Sequence, residues 1–216
     1  MPPTDCVLLS DGPSDQALIP ILRWVLGQTA PHRGFVIEWA DIRRCRIPRG
    51  DLAGRIRWTL DQYPSEILFV HRDAEGQDPE LRYREIRDAM RRIRDEFGRL
   101  HHVCVVPVRM QEAWLLLDES AIRRASGNPR GRMPIDLPRL QRIEDLPRPK
   151  DDLYRLLKTA SGLTGRRLKK FRPEEAAMTV SDHVRDFSPL RALPAFHRLE
   201  ADISCITREL AAARPA

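Results

Sequence analysis

The chain has 216 residues, 37 Lys plus Arg against 31 Asp plus Glu, a formal net charge of +6, and 42% hydrophobic residues. This length and apolar fraction suit one sizeable core with at most a small appended subdomain. No stretch approaches the roughly 20 apolar residues that span a bilayer, so no membrane partner is expected.

The basic balance is compatible with a polyanionic partner such as nucleic acid. Cys6, Cys45, Cys104 and Cys205 are widely spaced, with no CxxC pair, which argues against a zinc site. Cys6 and Cys104 fall in apolar runs and read as buried small hydrophobes. The opening Met1-Pro2-Pro3-Thr4-Asp5 lacks the basic and apolar regions of a signal peptide, and a cytoplasmic location is expected.

Along the chain, the apolar run 6–9 reads as a buried strand stopped by the turn Ser10-Asp11-Gly12-Pro13. Ala17, Leu18, Ile21, Leu22 and Val25 have the spacing of an amphipathic helix, capped by Ser14 or a neighbour and stopped near Gly27. Residues 35–39 form a second strand, 42–50 a basic loop and 52–60 a helix. Residues 66–70 form a third strand, stopped by the polar turn 71–76. A charged helix covers 79–97 with Leu81, Ile86, Met90 and Ile93 as its buried stripe, and 103–108 is a fourth strand. A short helix follows over 113–117.

Alternating strands and helices predict an α/β fold with a mostly parallel sheet flanked by helices. In such sheets ligands bind beyond the carboxyl ends of the strands, where both acidic turns lie. Residues 1–125 form this core. Residues 127–150, rich in Pro and Arg, read as a linker, and helices over 151–160, 173–180 and 190–210 form an extension packed on the core. Residues 162–171 are basic. Trp24, Trp58 and Trp114 fall in apolar helical patterns and read as core.

Two acidic elements carry the chemistry. Asp11 and Asp15 stand one turn apart at a helix start, where capping or helix-dipole complementation is the competing explanation. Asp73 and Glu75, two residues apart after a buried strand, can point at one place, although a solvated acidic turn looks the same in sequence. Hard cations such as Mg²⁺ take carboxylate oxygens of this kind.

Two acidic turns, each ending an apolar strand and each followed by a helix, resemble the Toprim fold. That is the metal-binding domain of topoisomerases, primases, recombination mediators and the overcoming-lysogenization-defect nucleases. The family's Glu-Gly turn is Asp11-Gly12 here, and its Asp-x-Asp turn is Asp73-Ala74-Glu75. Both departures keep the charge but move it by one methylene. In the nucleases a second acid follows the first by four residues, which Asp15 matches. A later acid and a downstream catalytic lysine match Glu112 and Lys150. The run Glu112-Ala113-Trp114-Leu115-Leu116-Leu117-Asp118, the pair Pro149-Lys150 and Pro194-Ala195-Phe196 also resemble a Toprim-like domain-of-unknown-function family, whose members often neighbour ATPase genes in bacterial defence islands.

The resemblance implies Mg²⁺ or Mn²⁺ held by Asp11, Asp15, Asp73, Glu75 and Glu112. Catalysis by Asp11, Asp73, Glu75 and Lys150 would hydrolyse phosphodiester bonds of DNA or RNA. An ATPase partner and an antiphage or toxin-like role are implied with it, and a homodimer is left open. His71 and Arg72 can touch phosphate or activate water, or make a structural hydrogen bond. Arg43, Arg44, Arg46, Arg49, Arg55 and Arg57, and separately Arg166, Arg167, Lys169, Lys170 and Arg172, form patches suited to a nucleic-acid backbone, or solvated charged faces. The rival readings are a non-catalytic module that binds nucleic acid or an ATPase, and a phosphatase using Asp73 as nucleophile.

Overall fold

The computed structural model describes residues 2–44, 46–48 and 50–213, with Arg44 described by its backbone alone. Four strands, β1 (Thr4–Leu9), β2 (Phe35–Trp39), β3 (Ile67–His71) and β4 (His101–Val105), form an all-parallel sheet in the order β2-β1-β3-β4. Helices α1 (Leu18–Thr29), α2 (Leu52–Gln62) and α3 (Pro79–Ile93) connect successive strands.

The period-2 alternation of the strands sorts their side chains onto two faces. Cys6, Leu8, Phe69, Val103 and Val105 pack with the apolar stripe of α1. Val7, Leu9, Leu68 and Val70 pack with α2 and α3 on the opposite face. The strand order reverses between β1 and β3, which opens a crevice beyond their carboxyl ends.

The second half of the chain supplies α4 (Glu119–Ala125), α5 (Pro149–Ser161), α6 (Gly165–Lys170), α7 (Pro173–His183) and α8 (Pro194–Ala212). Its apolar residues share one continuous cluster with the α1 face of the sheet. Trp114, fully buried, meets Phe196 of α8 edge-to-face with ring centroids 5.6 Å apart, and burying side chains of this size contributes about 2–3 kcal/mol each. No helix among the described residues is long and apolar enough to cross a membrane.

Several boundaries differ from the sequence reading. Helix α1 begins after a 3₁₀ turn, Pro13–Ala17, and runs through Gly27 to Thr29. Strand β4 starts at His101 and stops at Val105, and Pro107 beyond it has no N–H for a ladder. The following stretch still accepts from the β3 turn, Ala74 N–H to Pro107 O at 3.0 Å and Glu75 N–H to Arg109 O at 2.9 Å. The helix expected over 79–97 ends at Ile93 and continues as a 3₁₀ turn, Arg94–Glu96.

Helix α4 escaped the sequence reading; Asp118 caps it by accepting the Ala121 N–H at 3.1 Å. The expected linker is a strap, with Ile143 fully buried in a 3₁₀ turn, Leu140–Asp145. It ends early, because α5 already starts at Pro149, a residue suited to the first helical position. The last helix starts at Pro194 for the same reason. Cys6 and Cys104 are buried free thiols, and burial pushes both up to about 12.

Candidate functional site

The crevice is assembled from strand ends. Asp11 follows β1, His71 closes β3 with Arg72 and Asp73 after it, and Gln111 and Glu112 lie in the 3₁₀ turn Gln111–Leu115 beyond β4. Helix α5 packs against that turn and brings Lys150 on its first turn.

At the centre is His71, buried between two carboxylates. Its Nε2 lies 3.1 Å from Asp73 Oδ1, within hydrogen-bond geometry. Its Nδ1 faces Asp15 Oδ2 at 3.4 Å, an ion-pair distance without the angle of a hydrogen bond. Burial opposes charge on the ring, but the two carboxylates outweigh it and raise the imidazole to about 10. His71 is therefore an imidazolium at neutral pH. Its two ring nitrogens are taken up by these carboxylates, the structural contact that is one of the sequence alternatives for this residue.

Asp15 is buried, which pushes its carboxyl up, yet His71 and hydrogen bonds hold it below the ordinary carboxylate value. Its Oδ2 accepts the Gly12 N–H at 3.1 Å, and its Oδ1 accepts from Gln111 Nε2 at 2.8 Å. The capping role that competed with metal ligation in the sequence thus describes how Asp15 is held. Gln111 went unremarked in the sequence because nothing in its spacing marks it. It ties the site together, since its backbone N–H also donates to Asp73 Oδ1 at 3.0 Å.

Asp11 is clamped by arginines. Arg55 Nη1 donates to its Oδ1 at 2.7 Å and Arg72 Nη1 to its Oδ2 at 3.0 Å. Arg72 also pairs with Glu85 at 3.0 Å. The Arg55 side chain is only 3% exposed, so it is part of the crevice floor and not of a surface patch.

Glu75 stands apart. Its φ of 54° is left-handed, its side chain is 67% exposed, and its carboxylate pairs with Arg82 at 3.5 Å instead of joining the His71 network. The next residue, Gly76, has φ +79°, and a Cβ there would sit 2.7 Å from Arg109 Nη1.

Glu112 is buried, which raises its carboxyl above the ordinary value, while Lys150 Nζ at 3.5 Å from Oε1 pulls it back. Burial lowers the Lys150 ammonium, but Glu112 outweighs that and raises it. Glu112 Oε2 and Gln111 Oε1 are buried without a hydrogen-bond partner, a cost of about 1–3 kcal/mol each if nothing joins them. Among the described residues, no three His, Cys, Asp or Glu side chains converge as a metal-ion cage.

The basic patches resolve unevenly. Arg43 is paired with Asp41 through Nε at 2.8 Å, and Arg57 with Glu96 at 2.5 Å. Arg46 is exposed, as are Arg166, Arg167, Lys169 and Lys170 on α6. Arg49 and the side chain of Arg44 lie outside the described residues.

The fold and site together define an open parallel α/β protein with a mixed-charge crevice at its strand-order reversal. Compared with protein-family models, with curated proteins and with solved structures, the chain has no match in any of the three.

Proposed function

We propose that this crevice hydrolyses phosphodiester bonds of nucleic acid with the help of Mg²⁺ or Mn²⁺, in a Toprim-like arrangement. The observation that carries the reading is the buried Glu112 carboxylate, with one oxygen facing Lys150 and the other without a partner, beside Asp73 at the end of the neighbouring strand. A buried, under-satisfied carboxylate among further acids is a donor set suited to a hard cation. Asp73, Glu112 and Asp11 are the residues that would hold it, Asp11 after release from Arg55 and Arg72. A bound metal of this kind supplies Lewis acidity and an activated water.

The chain's own groups do the rest. Lys150 and Arg72 stabilise charge on the scissile phosphate. His71, already protonated, fixes the rotamers of Asp15 and Asp73. Glu75 serves through its backbone turn more than its carboxylate. The Toprim resemblance adds an ATPase partner and a defence or toxin-like setting to this reading, on motif similarity alone.

The test is incubation of purified protein with DNA, tRNA and other RNA in Mg²⁺ and in Mn²⁺, alongside Asp73→Asn, with Mn²⁺ affinity measured by calorimetry. Metal-dependent cleavage lost in the variant is expected. No cleavage of any substrate, with wild-type and variant binding Mn²⁺ alike, overturns the reading. A non-catalytic nucleic-acid- or ATPase-binding module is the second reading, favoured by the two arginines that already occupy Asp11.

A further inference from the structure

Along one edge of the buried stripe of α3, Arg84, Arg87 and Arg91, with Arg94 just past the helix end, recur at intervals of three, four and three residues. These intervals place them on one face, and all four are exposed. They wall a groove of about 700 Å³ whose floor is apolar, formed by Met90, Ile93, Phe97 and Leu100. That volume lies within the range of ligand-binding clefts, about 300–1,000 Å³.

The charges are only partly satisfied. Arg87 pairs with Glu80 at 3.0 Å and Arg91 with Asp88. Arg84 and Arg94 make no ion pair among the described residues. From Arg84 to Arg94 the row runs about 15 Å at the rise of a helix.

We infer that this groove binds single-stranded nucleic acid, with Arg84 and Arg94 meeting phosphates and half-buried Phe97 meeting a base. A single strand offers both a charged backbone and unpaired aromatic faces, which is the pairing of cationic rim and aromatic floor that such strands use. A duplex keeps its bases stacked inward and would leave the apolar floor bare. A second copy of this chain would set like charges against one another. The groove reaches His102 near the start of β4, at the opposite end of the sheet from the crevice, so it anchors flanking strand and not the scissile bond. The inference rests on the reading of the protein as acting on nucleic acid, and is independent of its metal chemistry.

The test is fluorescence anisotropy of a labelled oligothymidylate with the full chain in EDTA, across a salt series. Arg84→Gln/Arg94→Gln should lower affinity at least tenfold and flatten the slope of log K against log salt by about 1.4, at about 0.7 per phosphate contact on a single strand. Phe97→Leu, which keeps an apolar side chain at this half-buried position, should weaken binding roughly tenfold with the slope unchanged. Arg84→Lys/Arg94→Lys should restore the slope, and circular dichroism should show every variant folded. No binding by the wild type, an unchanged slope in the double Gln variant, or a preference for duplex each overturns the inference. Binding through this groove, with no cleavage in any metal and Mn²⁺ binding unchanged by Asp73→Asn, would instead remove the proposed function and leave the inference standing.

Discussion

Replacing His71 with Gln keeps a polar side chain of similar size and removes a buried positive charge from between Asp15 and Asp73. Two independent routes give the size of the loss. Taking one partner from a buried ion network costs about 3–5 kcal/mol, because the remaining charges are left uncompensated. Linkage gives a second figure. The folded-state value of about 10 stands above the ordinary 6.5, so below pH 6.5 folded and unfolded chains are both protonated and the contribution is complete. Between the two values only the folded chain holds the proton, and stability falls by about 1.4 kcal/mol per pH unit, or about 5 kcal/mol in all. Asp15 bounds the window on the acid side: its lowered value makes its own contribution present above about 3.8 and lost as pH falls further. The assay is urea unfolding of wild type and His71→Gln at pH values from near 6.5 to near 10. Reading the difference between them cancels other groups that titrate in this range. The gap should be several kcal/mol at the acid end and close as pH rises toward 10. A gap under about 1 kcal/mol at neutral pH, or one that does not narrow, refutes the buried imidazolium.

Arg55→Met should destabilise the fold by about 1–2 kcal/mol, because the buried Ser10 carbonyl loses a donor while Asp11, 40% exposed, keeps Arg72; chemical denaturation reads it, and a neutral result would show the clamp to be dispensable. Glu75→Gly should raise stability by about 1 kcal/mol by relieving a left-handed backbone. Gly76→Ala should lower it by about 1–2 kcal/mol, since φ is +79° and the Arg109 guanidinium must also move aside; thermal melts of the pair must move in opposite directions. Glu112→Gln should change stability by less than about 1 kcal/mol, because Lys150 is 39% exposed and its pairing is partly screened, while Mn²⁺ affinity by calorimetry drops at least tenfold; unchanged affinity would take Glu112 out of the site.

Much of the architecture could be read from residue order because it depends on local pattern. Cys6-Val7-Leu8-Leu9 and Ile67-Leu68-Phe69-Val70 are short apolar runs stopped by polar, glycine-bearing turns, the mark of buried strands, and the carboxyl-end rule then puts Asp11 and Asp73 in one crevice. The partners of those acids could not be read in the same way. Arg55 sits among Leu52, Ile56 and Leu60 on a helix that looks amphipathic, and only the packing of α2 beside β1 turns its guanidinium inward to Asp11. Gln111 acts on residues 96 and 38 positions away in the chain, a separation no periodicity encodes. Conversely, the Pro- and Arg-rich composition of 127–150 suggested a linker, yet Ile143 is fully buried there and Ile135, Leu137, Leu140 and Leu146 pack against the same core.

Charge pairing explains why so many acids can share one partly buried crevice. Asp11, Asp15, Asp73 and Glu112 would repel one another and resist desolvation if left alone. Each instead faces at least one cation: Arg55 from α2 and Arg72 beyond β3 for Asp11, His71 from β3 shared by Asp15 and Asp73, and Lys150 from α5 for Glu112. The pairing is uneven in a way that matters for chemistry. His71 is buried, and Asp15 and Asp73 are 9% and 22% exposed, so these pairs are the ones least open to solvent. Asp11 is 40% and Lys150 39% exposed, so these two pairs are the ones open to solvent. Under the proposed function, a phosphate that draws Lys150 to itself would leave Glu112 without its counter-charge, whereas one that draws Arg72 would leave Asp11 held by Arg55 alone. On that reading Glu112, whose cation is the more open to solvent, is the carboxylate an arriving anion would free.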